Sequence, residues 1–533
     1  MKKQSFVYGA IILGISGIVC KVLGAIYKIP LVNVLSPKGV GIYYLVFPVY
    51  AFLLTFVSNA FIVSTSKKVS NLVSQGQDRD AHQFFLSTLF SLLFVGTILA
   101  SLLCFFSKFI ANLQGMKEAY ICYLAIAPAI IFVAISSSFR GYFQGLQNMS
   151  PSAISNIVEQ LFKLALGLSL SKIFISKSLL LGAFGAILGV SISELSSCLF
   201  FVFYYLYFRK KNKEYFENFG YIQKNKSRYK FFINAKEVFR NAFPFVLSSI
   251  ILPTSMVIDS FLVVNLLFSM GFDKLFATGL LGLNSGIVGT LVGLPSTFSI
   301  SLCMTLVPYL VHSFSKKDYL DVSQKASLTI KLNLIISLPC VLVFLFFPKN
   351  VLQVLYSGSF GCEGELSLCT TLLFLSSSSV LYLSILQMST ALLQAMNKAY
   401  VPVISLLISL VLKVVCEAIL IRLLGIVGVV LSNCVCYFVS SFINLWQFKK
   451  LVPTTASFCK SFLIPIFSCF IMCFAIFLSQ KICESFVSFR FASLFSFFVG
   501  GVVYLVCIFL FKTFTKEEQS SFFKQKNACN INH

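Results

Sequence analysis

The chain has 533 residues, 58% hydrophobic and only 11% charged, and a mean hydropathy of +0.90, which excludes a soluble fold of this length. Lys and Arg number 42 against 18 Asp and Glu, a formal charge of +24, but the excess lies between the apolar runs. That placement makes it a topology signal and argues against a nucleic-acid partner.

Apolar stretches of the length a helix needs to cross a bilayer, about 20 residues, recur from Phe6 to Lys512. They are continuous in Leu, Ile, Val and Phe rather than alternating, which predicts helices and not a barrel. The first run follows Lys2 and Lys3 and is too long for a signal peptide, with no small-residue cleavage site after it, so it reads as an uncleaved span. The expected spans are 6–32, 40–65, 83–107, 119–143, 152–173, 178–208, 241–268, 277–311, 326–347, 367–393, 401–422, 427–446, 461–480 and 490–512. With the amino terminus inside, about 28 of the 42 Lys and Arg fall beside cytoplasmic segments and about 10 beside outer ones. The prediction is an all-α polytopic protein of the cytoplasmic membrane with about 14 transmembrane helices and both termini cytoplasmic.

A basic stretch, 209–240, divides the chain and carries ten positive charges. Topology or contact with an anionic leaflet would account for it. The second half echoes the first at an offset of 250, with Gln144, Gln147 and Lys163 opposite Gln394, Asn397 and Lys413. An even number of spans per half predicts parallel repeats with a central cavity. The expected plan is two pseudo-symmetric six-helix lobes, 1–208 and 241–446, joined by that linker and followed by two further helices in 447–512 and a cytoplasmic tail, 513–533. The eighth span carries Gly282, Gly286, Gly289 and Gly293 before Pro295, spaced for close helix packing or for a hinge. The 17 cysteines lie mostly in apolar runs, as small buried hydrophobes do, and only Cys362 and Cys369 near an outer loop could form a disulfide.

The ionisable residues inside these spans that stand out are Lys21, Lys28, Glu159, Lys163, Glu194, Asp259, Lys413 and Glu417. At about 2.5 to 3.5 kcal/mol each for a helix centre, they must be paired or face water, which points to a transport path. Lys21 and Lys28 are two helical turns apart on one face with no carboxylate near in sequence, a candidate anion site, although either could snorkel to an interface. Glu159 with Lys163 and Lys413 with Glu417 have the i to i+4 spacing of pairs that neutralise themselves on one helix, yet Lys163 and Lys413 also occupy equivalent repeat positions. Asp259 and Glu194 suit either a structural partner or a functional role. Arg140, Gln144, Gln147 and Asn148 form a polar cluster at a helix end before Pro151.

No phosphate-binding loop, metal-ligand spacing or nucleophile motif is visible. The chain therefore reads as a transporter and not an enzyme, with no cofactor and no metal. Its energy would come from the membrane potential, worth about 2.3 kcal/mol per charge at 100 mV, or from a sodium or proton gradient.

The segments KVLGAIYKIP (21–30), GVGIYYLVFPVY (39–50), RGYFQGLQNMSPSAISNIVEQ (140–160), VID (257–259), LP (294–295) and LVP (306–308) resemble the multidrug/oligosaccharidyl-lipid/polysaccharide (MOP) superfamily. The branch they resemble is that of stage V sporulation protein B and MurJ-type lipid II flippases. The third segment is fairly specific and the others are weak singly. The resemblance implies a cationic cavity that receives the headgroup of an undecaprenyl-pyrophosphate-linked saccharide, a cell-wall precursor moved between leaflets by alternating access. It puts the family's first-span basic pair on Lys21 and Lys28 and the acidic coupling groups on Asp259 and Glu417; from their own placement Arg140, Gln144, Asn148, Lys163 and Lys413 are expected to add substrate contacts and Glu159 to take part in coupling. It implies a lipid-tail groove on the last two helices. The chain departs from the family in carrying lysine where arginine is common at 21 and 28, and Ala60, Phe61 and Ile62 where Gly-x-Pro is usual, which removes the expected cause of a bend. The partners implied are the bilayer and the lipid-linked saccharide, with the chain acting as a monomer. The rival readings are a multidrug exporter of the same fold, for which unpaired lysines are unfavourable, and a membrane polysaccharide polymerase or scaffold. A polymerase would be expected to carry a longer outer loop than 348–366.

Overall fold

The computed structural model describes residues 6–212, 227–299, 318–396, 398, 400–452, 462–511 and 513. Linker residues 213–226, Asn397, the end of the eighth expected span with LVP at 306–308, and tail residues 514–533 lie outside them. The regular structure of the described residues is helical: α1 (Phe6–Leu54), α2 (Asn59–Ser74), α3 (Asp78–Leu113), α4 (Tyr120–Gly145), α5 (Ser150–Ile175), α6 (Leu179–Lys211), α7 (Ser227–Ser269), α8 (Lys274–Leu281, continued by a π-helical turn, Gly282–Val288), α9 (Tyr319–Phe346), α10 (Pro348–Tyr356), α11 (Glu363–Ala395), α12 (Tyr400–Leu424), α13 (Ile426–Leu451), α14 (Ile464–Cys483) and α15 (Phe489–Leu510).

Twelve stretches among the described residues are long and apolar enough to cross a membrane, so the chain is a multi-pass membrane protein. The first, Ile12–Ser74, runs 63 residues and has the length for two passes. It is interrupted twice. Ser36, before Pro37, takes φ 58° and ψ 169°, a conformation strained for any side chain, and bends α1. Residues 55–58 then form turns, with the Thr55 hydroxyl donating to the Phe52 carbonyl at 2.7 Å. The chain thus bends just before Ala60 without glycine or proline, contrary to the expectation drawn from their absence there. α5 is not among the twelve because Glu159, Lys163 and Lys172 interrupt its apolar character, although its 26 residues would span about 39 Å.

Two other helices differ from the expected spans. α7 begins at Ser227, inside the basic linker. The 348–366 segment is not a loop throughout: α10 turns its apolar Val351, Leu352 and Tyr356 inward. Cys362 and Cys369 are free thiols, the first exposed at the start of α11 and the second buried within it, which leaves the suggested disulfide unformed.

Two compact units share the chain, Met1–Thr290 with Val414–Val429, and Leu291–Lys413 with Val430–His533. In the first, α5 and α6 come so close that a Cβ on Gly189 would lie 2.3 Å from the Cα of Gly167. α1 packs equally tightly on the π-helical turn, since a Cβ on Gly282 would lie 2.0 Å from the Pro37 carbonyl oxygen. Gly282 and Gly286 therefore serve close packing, whereas Gly293 faces open space. Buried polar groups answer to one another: Gln114 Nε2 donates to the Leu45 carbonyl at 2.9 Å and to Ser260 Oγ at 3.0 Å, and Gln114 Oε1 accepts from Tyr123 OH. In the second unit, α9 packs its Leu334 and Leu338 against Cys469, Met472 and Ile476 of α14 and Tyr504 and Ile508 of α15. Its other end meets Met388, Leu392 and Leu393 of α11 and Phe448 of α13. α5 begins at Ser150 and α12 at Tyr400, which sets Lys163 and Lys413 at the same depth in their helices.

Candidate functional site

Ser155, Glu159 and Lys163 stand one turn apart on α5 and so share one face. Arg140 of α4 reaches that face. Its Nη2 donates to Glu159 Oε2 at 3.0 Å, to Ser197 Oγ of α6 at 3.1 Å and to Ser155 Oγ at 3.4 Å. The guanidinium also lies over the Phe201 ring, 5.8 Å from its centroid. Glu159 Oε1 accepts from Gln160 Nε2 at 3.1 Å, so both carboxylate oxygens are engaged. The expected self-pairing of Glu159 with Lys163 does not occur: the carboxylate turns to an arginine nineteen residues earlier. Arg140 reaches this face from the neighbouring helix, where its Nη2 serves Glu159 and two serines together.

Lys163 is left to aromatic rings. Its Nζ lies 5.4 Å from the Tyr27 centroid and 5.5 Å from that of Phe47, both on α1. Lys28 Nζ stands 5.9 Å from the Tyr44 ring. Among the described residues neither ammonium has a carboxylate within ion-pair distance, nor does Lys21, which is exposed. Lys163 is within electrostatic reach of Lys21, Lys28, Glu159 and Glu194. Glu194 of α6 accepts from Tyr50 OH at 3.4 Å. Four cations and two carboxylates thus gather on α1, α4, α5 and α6, with one cation neutralised directly. A net positive, aromatic-lined region of this kind suits an anion carried on an apolar body.

The remaining expected site residues lie elsewhere. Gln144 Nε2 donates to Ser152 Oγ at 3.3 Å and Asn148 Nδ2 to Tyr204 OH at 3.1 Å, holding the turn between α4 and α5, where Gln147 takes φ 59°. Asp259 is partly buried on α7. Lys413 and Glu417, 1% and 0% exposed, are one turn apart on α12. The aromatic cradle of Tyr27, Phe47 and Tyr44 was missed from sequence, although its residues fall in the segments that carried the resemblance. Lys331 of α9 was also missed. It is 4% exposed and donates to the Thr513 carbonyl at 3.2 Å. Its signal was a lysine set within an apolar run at 326–347. Among the described residues no group of three or more His, Cys, Asp or Glu converges as a metal site would require.

The sequence pattern of the family described as polysaccharide biosynthesis protein matches residues 6–314. Stage V sporulation protein B of Bacillus subtilis (strain 168) is 28% identical over 369 residues, 67% of this chain and 68% of that protein. The lipid II flippase MurJ of the same organism is 24% identical over 540 residues, 94% of each. Among solved structures, a lipid II flippase MurJ in an inward closed conformation superposes with a TM-score of 0.67 at 18% identity, over 94% of this chain and 99% of that one. An inward-facing MATE family multidrug resistance transporter of the MOP superfamily gives 0.64 at 13% identity, over 82% and 98%. The chain therefore has the membrane-transporter fold of the MOP superfamily and resembles transporters rather than enzymes. Since the family pattern covers more than half of its length, it belongs to the polysaccharide biosynthesis protein family.

Proposed function

We propose that the chain is a flippase that carries an undecaprenyl-pyrophosphate-linked cell-wall precursor, lipid II or a related lipid-linked saccharide, across the cytoplasmic membrane by alternating access. The observation that carries this reading is the set of three ammonium groups, Lys21, Lys28 and Lys163, without ion-pair partners among the described residues, the last two placed against tyrosine and phenylalanine rings. A diphosphate meets the ammoniums as point charges. Arg140 stands behind them, tied to Glu159 and set to reorient when the headgroup arrives. Two relatives support the substrate class, being named for lipid II flipping and for sporulation.

The accompanying topology is about 14 crossings with both termini cytoplasmic, as the distribution of Lys and Arg favours. Coupling draws on the membrane potential or on a sodium or proton gradient, with Asp259, Glu417 and Glu159 as the acidic participants. The Lys413 ammonium, one turn from Glu417, takes the place that a metal cation holds in sodium-coupled carriers. Sodium-dependent transport that survives Lys413→Ala would refute that assignment. The protein works as a monomer.

The deciding experiment is transport of fluorescent lipid II in vesicles, with complementation of a strain depleted of its own lipid II flippase. The Lys21→Ala/Lys28→Ala double variant inserts normally and loses transport on this reading. Full activity in that variant overturns it. The MATE fold motivates a second reading, export of organic cations, which would show as cation transport that rises when the lysines are removed.

A further inference from the structure

A second basic site lies in the other unit, at the end of a helix bundle and not within it. α10 is amphipathic: Val351, Leu352 and Tyr356 are buried, while Lys349, Asn350, Gln353 and Ser357 take the opposite side. Those four residues, with Phe489 and Arg490 at the start of α15, line a pocket of about 480 Å³. Its walls are fixed to each other, because Asn350 Nδ2 donates to Ser493 Oγ of α15 at 3.2 Å. The lining offers one ammonium, one guanidinium, two amides and a hydroxyl, and no carboxylate. Of the acids nearest in sequence, Glu365 is engaged by the Gly361 amide at 2.9 Å and Glu484 by Gln480 at 2.6 Å, while Glu363 opens α11 and does not line the pocket.

We propose that this pocket binds the phosphate group of an anionic membrane lipid. Arg490 supplies the planar fork and Lys349 the point charge that a phosphodiester accepts. The amides of Asn350 and Gln353 serve the remaining oxygens. What selects a lipid over a free phosphate is the rim. Phe489 lines the pocket, and Phe486 and Phe491 beside it are 83% and 67% exposed, a cluster of aromatic rings suited to acyl chains at the headgroup level. The helix ends on which the pocket stands, at the close of α9 and the opening of α15, are where headgroups lie. The site shares no residue with the cluster of Lys21, Lys28 and Lys163, so either can fail while the other stands.

The experiment uses the full chain in phosphatidylcholine vesicles doped with spin-labelled phosphatidylglycerol. The label should be immobilised in excess of a phosphatidylcholine label, and Lys349→Gln/Arg490→Gln should weaken that retention roughly 30-fold, the effect of two interfacial charges. Each single variant should give an intermediate loss, and size-exclusion profiles should match the parent. Equal retention in parent and double variant overturns the proposal. So does displacement of the lipid by millimolar inorganic phosphate, which would assign the pocket to a free anion.

Discussion

The guanidinium of Arg140 and the carboxylate of Glu159 meet at 3.0 Å between α4 and α5, with each side chain 16% exposed. Arg140 Nε has no hydrogen-bond partner among the described residues, so the group leans on Glu159, Ser155 and Ser197 through a single nitrogen. Removing the carboxylate leaves a largely buried cation short of its counter-charge. Glu159→Gln should therefore lower stability by about 1 to 3 kcal/mol, less than a fully buried pair would lose. The check is a double-mutant cycle on detergent melting curves with Arg140→Gln. A coupling of about 1 kcal/mol or more is expected, and additivity would mean that the two residues act independently.

Lys163 tests the cationic reading in a different way. Its ammonium lies within 5.5 Å of the centroids of both the Tyr27 and Phe47 rings, where Lys163→Met keeps the length and apolar contact but removes the charge. Transport should fall about tenfold or more, the cost of one charge-assisted contact to phosphate, while the melting temperature holds or rises because a desolvated cation is gone. Lys163→Arg should retain part of the activity. Equal activity of parent and Lys163→Met would remove Lys163 from the substrate path.

The membrane class and most helix positions were legible because a lipid-facing helix must be apolar along about 20 residues, and nothing else in the chain competes with that signal. Three features were not. α7 runs back to Ser227 through basic residues that carry no hydropathy signal, because that part of the helix does not need to be apolar. The break at 55–58 has neither glycine nor proline, and the turn is held by a threonine hydroxyl. The partner of Glu159 was misread because sequence spacing displays neighbours on the same helix, while the fold brings α4 and α6 to the same face. Lys21, Lys28 and Lys163 were legible as charges out of place, but their aromatic surroundings depend on α1 bending at Ser36.

Gly282 and Gly293 separate packing from hinge. A methyl group on Gly282 would overlap the Pro37 carbonyl oxygen, whereas one on Gly293 meets nothing within 4 Å. Gly282→Ala should cost about 1 to 3 kcal/mol and reduce the yield of folded protein. Gly293→Ala should stabilise by up to about 1 kcal/mol, from helix propensity alone. Detergent melting curves check both. If Gly293→Ala also slows transport while raising stability, the glycine works as a hinge; unchanged transport would leave it no such role.

The ion pair between Lys68 of α2 and Glu237 of α7, 2.7 Å long with side chains 28% and 21% exposed, joins two helices far apart in sequence. At that exposure its contribution to stability is about 0 to 1 kcal/mol, so neither Lys68→Ala nor Glu237→Ala should move the melting temperature by much. A transporter must nevertheless change the packing of its helices during its cycle, and a contact worth little in one state can still bias which state is populated. Lys68→Glu sets like charges against each other and should shift transport by a few-fold, and Lys68→Glu/Glu237→Lys should restore it. The measurement is the rate in vesicles for all three variants at low and high salt, since screening should shrink the difference. Transport that the swap fails to recover would mean that the contact is incidental to the cycle.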